Sequence, residues 1–164
     1  MKTLYLARHA KSSWDFPDLE DADRPIIEKG IRKTKKVIRL LSEKKTKPGL
    51  IITSNARRAM ETARMYAIGL NYPEEFIEKN PKIYEADTDA MLSIILGLDD
   101  VLNSVFLVGH NPAITQTVNY FLKEKFDYLP TSAVVCIEFE TDEWNNVLDA
   151  PRKLVFHFFP KDID

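Results

Sequence analysis

Thr3-Leu4-Tyr5-Leu6-Ala7-Arg8-His9-Ala10-Lys11 is a short apolar run that stops abruptly in basic and imidazole side chains. The transition recurs twice. Leu50-Ile51-Ile52-Thr53 runs into Ser54-Asn55-Ala56-Arg57-Arg58-Ala59-Met60-Glu61-Thr62, and Val105-Phe106-Leu107-Val108 runs into Gly109-His110-Asn111-Pro112. The runs are short, rich in β-branched residues and free of polar–apolar alternation. That pattern suits strands buried on both faces of a parallel sheet.

Helical periodicity fills the intervals. Residues 30 to 44 place Ile31, Thr34, Val37, Ile38 and Leu41 on one face, with Lys33, Lys35, Lys36 and Arg39 largely on the other. Further helices are expected over 55 to 68, 88 to 98 and 112 to 123, and Pro48-Gly49 separates the first helix from the second strand. Ala133 to Phe139 and Lys153 to Phe159 read as strands with no helix between them, hence an antiparallel pair. The acidic stretch Asp15 to Asp23 reads as a long surface loop. The expectation is an α/β fold: a three-layer αβα sandwich whose mostly parallel central sheet ends in an antiparallel C-terminal strand pair. Residues 1–164 are read as a single domain.

Composition narrows the function classes. Lys plus Arg number 23 against 25 Asp plus Glu, a net charge of -2. So balanced a chain has no broad affinity for nucleic acid or an anionic membrane face, and neither is expected as a partner. Any bound anion is held by a few placed cations. Cys136 is the lone cysteine, so no internal disulfide framework is expected. With no signal-peptide pattern and no run approaching the ~18 apolar residues of a membrane span, a cytoplasmic location is expected.

The three polar clusters lie about fifty residues apart in sequence, yet each follows a strand. At the carboxyl ends of parallel strands they converge on one crevice. Together they bring two histidines and at least two arginines. Guanidinium groups hold phosphate oxygens through paired donors. A neutral imidazole nitrogen aimed at phosphorus can attack it, and clustered cations keep that imidazole neutral. Arg57 and Arg58 also break a local rule. With Ser54 as N-cap they fall in a helix's first turn, where positive charge opposes the macrodipole by roughly 0.3–1 kcal/mol. Glu61, at i+4 from Arg57, accounts for Arg57 as a surface or rim residue but leaves Arg58 unexplained, so Arg58 is taken as the phosphate ligand. Asn111 as a cap and Pro112 in the first turn explain their own positions; His110 is not required by that geometry.

Rival chemistries lack their signatures. Six residues after Cys136 stands Asp142 rather than Arg, and no P-loop, Gly-x-Ser-x-Gly elbow or His-Glu-x-x-His helix occurs. Asp87-Thr88-Asp89 precedes a helix and reads as its cap. His157 lies in a strand-like apolar run and reads as structural.

The three blocks, in register, resemble those of the histidine phosphatase (phosphoglycerate mutase-like) superfamily. Arg8-His9-Ala10 resembles its Arg-His-Gly/Ala signature, Ser54 to Thr62 its second block, and Gly109-His110-Asn111 its Gly-His block. Lys11-Ser12-Ser13-Trp14 and Asp23-Arg24-Pro25 resemble the SixA-like phosphohistidine phosphatase branch. The resemblance implies His9 as nucleophile in a pocket of Arg8, Arg58 and His110, with no metal and no cofactor. It places Glu85 in the stretch where many members carry a carboxylate proton donor. Lys11, Ser12, Asn111 and Ser132 are candidate phosphate or substrate contacts. The implied substrate is phosphohistidine on a protein such as a histidine phosphotransfer domain. A small phosphate ester, handled by a phosphomonoesterase or mutase of the same superfamily, is the alternative. A non-catalytic phospho-ligand binding module is an alternative of another class.

Overall fold

Lys2–Arg8 forms β1, the middle strand of the main sheet, in a computed structural model that describes residues 1–164. Along the chain follow α1 (Glu28–Glu43), β2 (Leu50–Thr53), α2 (Arg57–Gly69), β3 (Glu78–Lys79), α3 (Thr88–Leu96), β4 (Ser104–Gly109), α4 (Ala113–Phe121), β5 (Val134–Phe139) and β6 (Arg152–Phe158). The strands order as β3-β2-β4-β1-β5-β6. β3, β2, β4 and β1 run parallel, whereas β5 is antiparallel to both β1 and β6.

Burial on both faces explains why these strands do not alternate polar with apolar. Leu4, Leu6, Ile52, Val105, Leu107, Val135 and Ile137 enter one core with Met91 and Ile95 of α3 and Ile114 and Val118 of α4. Their neighbours Tyr5, Ala7, Ile51, Phe106, Val108, Val134 and Cys136 enter the other, with Val37 and Leu41 of α1 and Ala59, Ala63, Tyr66 and Ala67 of α2. Each fully buried Leu or Ile contributes about 1.5–3 kcal/mol of transfer free energy. The result is an α/β sandwich with a pair of helices on each face of a mixed sheet, as the pattern predicts.

Three details differ from the sequence reading. β3 was not expected: it is two exposed residues at the sheet edge, too short to carry a pattern. α2 is capped by Ala56, not Ser54, and α4 by Pro112, not Asn111. The Ser54 hydroxyl turns to His110 instead, while Asn111 Oδ1 accepts from Thr115 N (3.3 Å) in the first turn of α4. The acidic stretch after β1 is exposed but tied at its base. Ile27 N donates to Lys11 O (2.9 Å), Ser13 N donates to Pro25 O (2.8 Å), and Ser12 bridges Ile26. A short 3-10 turn at Asp21–Asp23 turns the loop back toward α2.

Candidate active site

The ends of β1, β4 and β2 are laced together by backbone hydrogen bonds beyond the regular ladder. His9 N donates to Gly109 O (3.1 Å), Ser54 N to Val108 O (3.1 Å), and Ser132 N to His9 O (3.1 Å). The polar residues following each strand therefore sit on a rigid sheet edge, around a cavity of about 520 Å³. Arg8, His9, Lys11, Ser12, Arg58, His110 and Asn111 all line it.

His9 is buried, its ring 5.1 Å from that of His110 between centroids. His9 Nδ1 lies 2.7 Å from Ala10 O. A carbonyl only accepts, so Nδ1 carries the proton and Nε2 keeps its lone pair. Nε2 has no protein partner and is open to the pocket. The backbone that sets this geometry is itself held, because Ala10 N donates to Thr62 Oγ1 (2.9 Å) on α2. Burial pushes the His9 pKa down to about 3, with the charges near it from His110, Arg58 and Arg8 acting the same way. The imidazole is neutral at neutral pH.

His110 Nε2 pairs with Ser54 Oγ (2.7 Å), and the same oxygen accepts from Ala56 N (3.1 Å). Ser54 is fully buried and its hydroxyl has no other acceptor, so its hydrogen goes to Nε2, which leaves the His110 hydrogen on Nδ1. That Nδ1 is buried and unpartnered. Burial and then the Arg58 charge lower the His110 pKa to about 4. Two more buried nitrogens lack partners, Arg8 Nε and Arg58 Nε. Buried donors are rarely orphaned, and three around one cavity describe a site for an anion.

Each guanidinium is also anchored. Arg8 Nη1 donates to Leu129 O (3.0 Å). Arg58 Nη1 donates to Asp21 O (2.8 Å) and Nη2 to Asp21 Oδ2 (3.0 Å). Asp21 further accepts from Arg24 Nε (3.1 Å) and from the Tyr84 hydroxyl. Those bonds, the one from Tyr84 foremost and then Arg58, hold the Asp21 carboxyl down at about 2. The like partnership raises the Tyr84 phenol. Tyr84 packs edge-on against His110, centroids 5.5 Å apart. Asp21 is thus the counter-charge for Arg58 at the start of α2, while Arg57 pairs outward with Glu61 at 3.1 Å.

Lys11 is exposed at the cavity, and Ser12 lines it with its Oγ accepting from Arg24 Nη1 (2.8 Å). Asn111 reaches the cavity wall, but its amide is spent on Leu129 O (2.9 Å) and Thr115 Oγ1 (2.6 Å). Two expectations are corrected. Ser132 does not face the cavity: it is fully buried at a positive φ of 65°, its hydroxyl 2.8 Å from Thr34 Oγ1 on α1. Glu85 is exposed, forms no hydrogen bond or ion pair, and is not part of the cavity wall. Its neighbour Tyr84 takes the inward position. Sequence reasoning missed Asp21 and Tyr84; the one signal for Asp21 was the unexplained charge of Arg58 in a first helical turn. No cluster of His, Cys, Asp and Glu converges in a way that suits a metal ion, and no helix is long and apolar enough to cross a membrane.

The family model of the histidine phosphatase superfamily (branch 1) matches residues 4–93, which contain the first two of these strand ends. The chain belongs to the histidine phosphatase superfamily. An uncharacterised chloroplastic protein of Arabidopsis thaliana is 32% identical over 118 residues, 67% of this chain and 54% of that protein. The chain thus spans about half the length of that curated relative. Among solved structures, the protein histidine phosphatase SixA complexed with tungstate superposes with a TM-score of 0.81 at 19% identity, covering 98% of both chains. A protein of Agrobacterium tumefaciens assigned as phosphohistidine phosphatase SixA gives a TM-score of 0.78 at 25% identity, over 96% of this chain and 97% of that one. The fold of this superfamily member is that of the SixA structures.

Proposed function

We propose that the chain is a phosphatase that moves a phosphoryl group from phosphohistidine on a protein to His9 and then to water. The observation that carries the reading is the tautomer of His9. Its Nδ1 hydrogen is spent on Ala10 O, and its free Nε2 stands in a cavity whose buried Arg8, Arg58 and His110 nitrogens await acceptors. In the first step the His9 Nε2 lone pair forms a bond to phosphorus as the substrate's P–N bond breaks, and the departing imidazole keeps that electron pair and takes a proton from solvent. In the second, water attacks phosphorus, releases His9 and leaves inorganic phosphate. Arg8 and Arg58 offset the charge on the phosphoryl oxygens, and His110 Nδ1–H donates to one of them.

The acid inventory favours a phosphoramidate over an alkyl ester. An alkoxide leaves well only when protonated by a positioned acid. The carboxylate at this site, Asp21, is held ionised at about 2, and Glu85 stands outside the cavity. An imidazole leaving group is less dependent on such a donor.

A labelled phosphodonor panel that includes a phosphohistidine protein, free phosphohistidine and sugar phosphates tests both parts. Acid-labile label on His9, absent from His9→Ala, is expected, with turnover of the phosphohistidine donors. Full hydrolysis by His9→Ala would sink the mechanism. Turnover of sugar phosphates alone would keep the mechanism and reject the substrate class, and binding of phosphate without any turnover would favour a binding module.

A further inference from the structure

The mouth of the cavity is flanked by two features that a phosphoryl group alone does not use. The first is apolar. Trp14, at the cavity wall, is 77% exposed, and Phe16 and Leu19 on the same loop are 54% and 40% exposed. Tyr128, 62% exposed, stands in the wall beside Arg8 and Thr131. Trp14 is not loose: the Arg24 guanidinium stacks 3.6 Å from its ring centroid, and Arg24 is itself buried and bonded to Ser12, Ser13 and Asp21. Leu19 N donates to Phe16 O (3.1 Å), which closes the loop tip into a turn. Large aromatic side chains held rigid in water, at the rim of a polar cavity, mark interaction sites.

The second feature is basic. Lys29, Lys33 and Lys36 recur at i, i+4 and i+7 on one face of α1, and Lys33 lines the cavity together with Lys11. None of the four makes an ion pair, although Asp15, Asp18, Glu20 and Asp23 lie on the neighbouring loop; Lys36 Nζ donates to Ile163 O (3.4 Å), and Lys11, Lys29 and Lys33 have no partner. Lys29, Lys11 and Lys36 each act on Lys33 as like charges. Such an array opposes helix stability and goes uncompensated inside a chain of net charge -2.

We propose that this rim, with Trp14, Phe16 and Leu19 on the loop and Lys29, Lys33 and Lys36 on α1, is the docking surface for an acidic protein partner whose phosphorylated residue enters the cavity. The inference rests on the phosphohistidine-protein reading above and names the surface that recognises that substrate. Charge complementarity selects the partner's sign: these lysines, none of them in an ion pair, attract carboxylates, while the aromatic turn buries apolar surface next to them. Phe16, Leu19, Lys29 and Lys36 lie outside the cavity wall, so they touch a macromolecular substrate and not a small one.

The test compares Phe16→Ala/Leu19→Ala and Lys29→Glu/Lys36→Glu with wild type on two substrates, an acidic histidine-phosphorylated phosphotransfer domain and free phosphohistidine. Each double variant is expected to lower kcat/KM for the protein by about tenfold or more, chiefly through KM, and the lysine variant to flatten its salt dependence. Turnover of free phosphohistidine stays within about twofold of wild type. Equal losses on both substrates, or none on the protein, overturn the proposal. If wild type hydrolyses neither, the hydrolase reading fails by itself. Binding of the phosphoprotein to His9→Ala protein, with and without the rim substitutions, then decides the surface. Rim-dependent binding of RNA or anionic vesicles in place of the phosphoprotein would overturn the choice of partner.

Discussion

Two neutral, buried imidazoles within one cavity make the stability of this protein depend on pH in a particular window. An unfolded histidine titrates near 6.5, whereas His9 and His110 hold their folded values at about 3 and about 4. Below an unfolded pKa of about 6.5 the unfolded chain binds protons that the folded chain refuses. Depressed folded values therefore contribute stability that is complete above about pH 6.5 and is lost as pH falls toward the folded values. At about pH 5 each unfolded imidazole gains about 2 kcal/mol from protonation while its folded counterpart gains almost nothing, so the pair costs about 4 kcal/mol relative to pH 8. Urea unfolding at these two pH values measures the loss, and His9→Asn/His110→Asn should remove most of it. Imidazole C–H resonances of folded protein should stay flat from neutral pH to about pH 5. A folded-state titration of either ring near 6.5, or an undiminished pH slope in the double variant, would refute the reasoning. Bound phosphate supplies the opposite charge, so it should raise the His110 value and shrink the pH dependence.

Removing the Ser54 hydroxyl by Ser54→Ala frees His110 Nε2 to take the proton; kcat should fall by about tenfold to a hundredfold with little change in KM, read by steady-state kinetics on phosphohistidine. Asp21→Asn removes the carboxylate that competes with phosphate for Arg58, so inorganic phosphate or tungstate should inhibit several-fold more tightly while kcat drops as Arg58 loses its anchor. Glu85→Gln should leave kcat and KM within about twofold of wild type. Gly30→Ala places a Cβ 2.7 Å from Lys11 O and 2.9 Å from Lys11 N, both backbone, so α1 must move. It should cost about 1–3 kcal/mol in chemical denaturation and lower activity, since Lys11 adjoins the His9–Ala10 turn.

Much of the site was legible because it follows the strands. The middle of a strand buried on both faces has no room for a charge, so the charged and polar residues gather at its ends, along one edge of the sheet. That reasoning placed Arg8, His9 and His110, and the broken helix-dipole rule singled out Arg58. Residues that enter from loops were not legible. Asp21 sits in an exposed acidic stretch without period, and only the turn at Asp21–Asp23 brings its carboxylate to Arg58. Tyr84 and Glu85 are adjacent in sequence and differ only in which one the chain turns inward. Ser132 was close to the site in sequence logic, yet a left-handed backbone at φ 65° turns its hydroxyl to Thr34.

By itself the sequence determined the layers, the parallel core of the sheet, and the two histidines and two arginines at its edge, because hydrophobic periodicity and strand ends are local properties. Tertiary structure alone decided which imidazole nitrogen is free, what anchors each guanidinium, and that the one carboxylate at the site is held ionised. Most of these depend on hydrogen bonds between residues far apart in the chain: Asp21 with Arg58 and Tyr84 at 37 and 63 positions, His110 with Ser54 at 56, Arg8 with Leu129 at 121. Even the His9–Ala10 contact between adjacent residues depends on a backbone turn held from α2 by Thr62, and no local pattern in the chain records it.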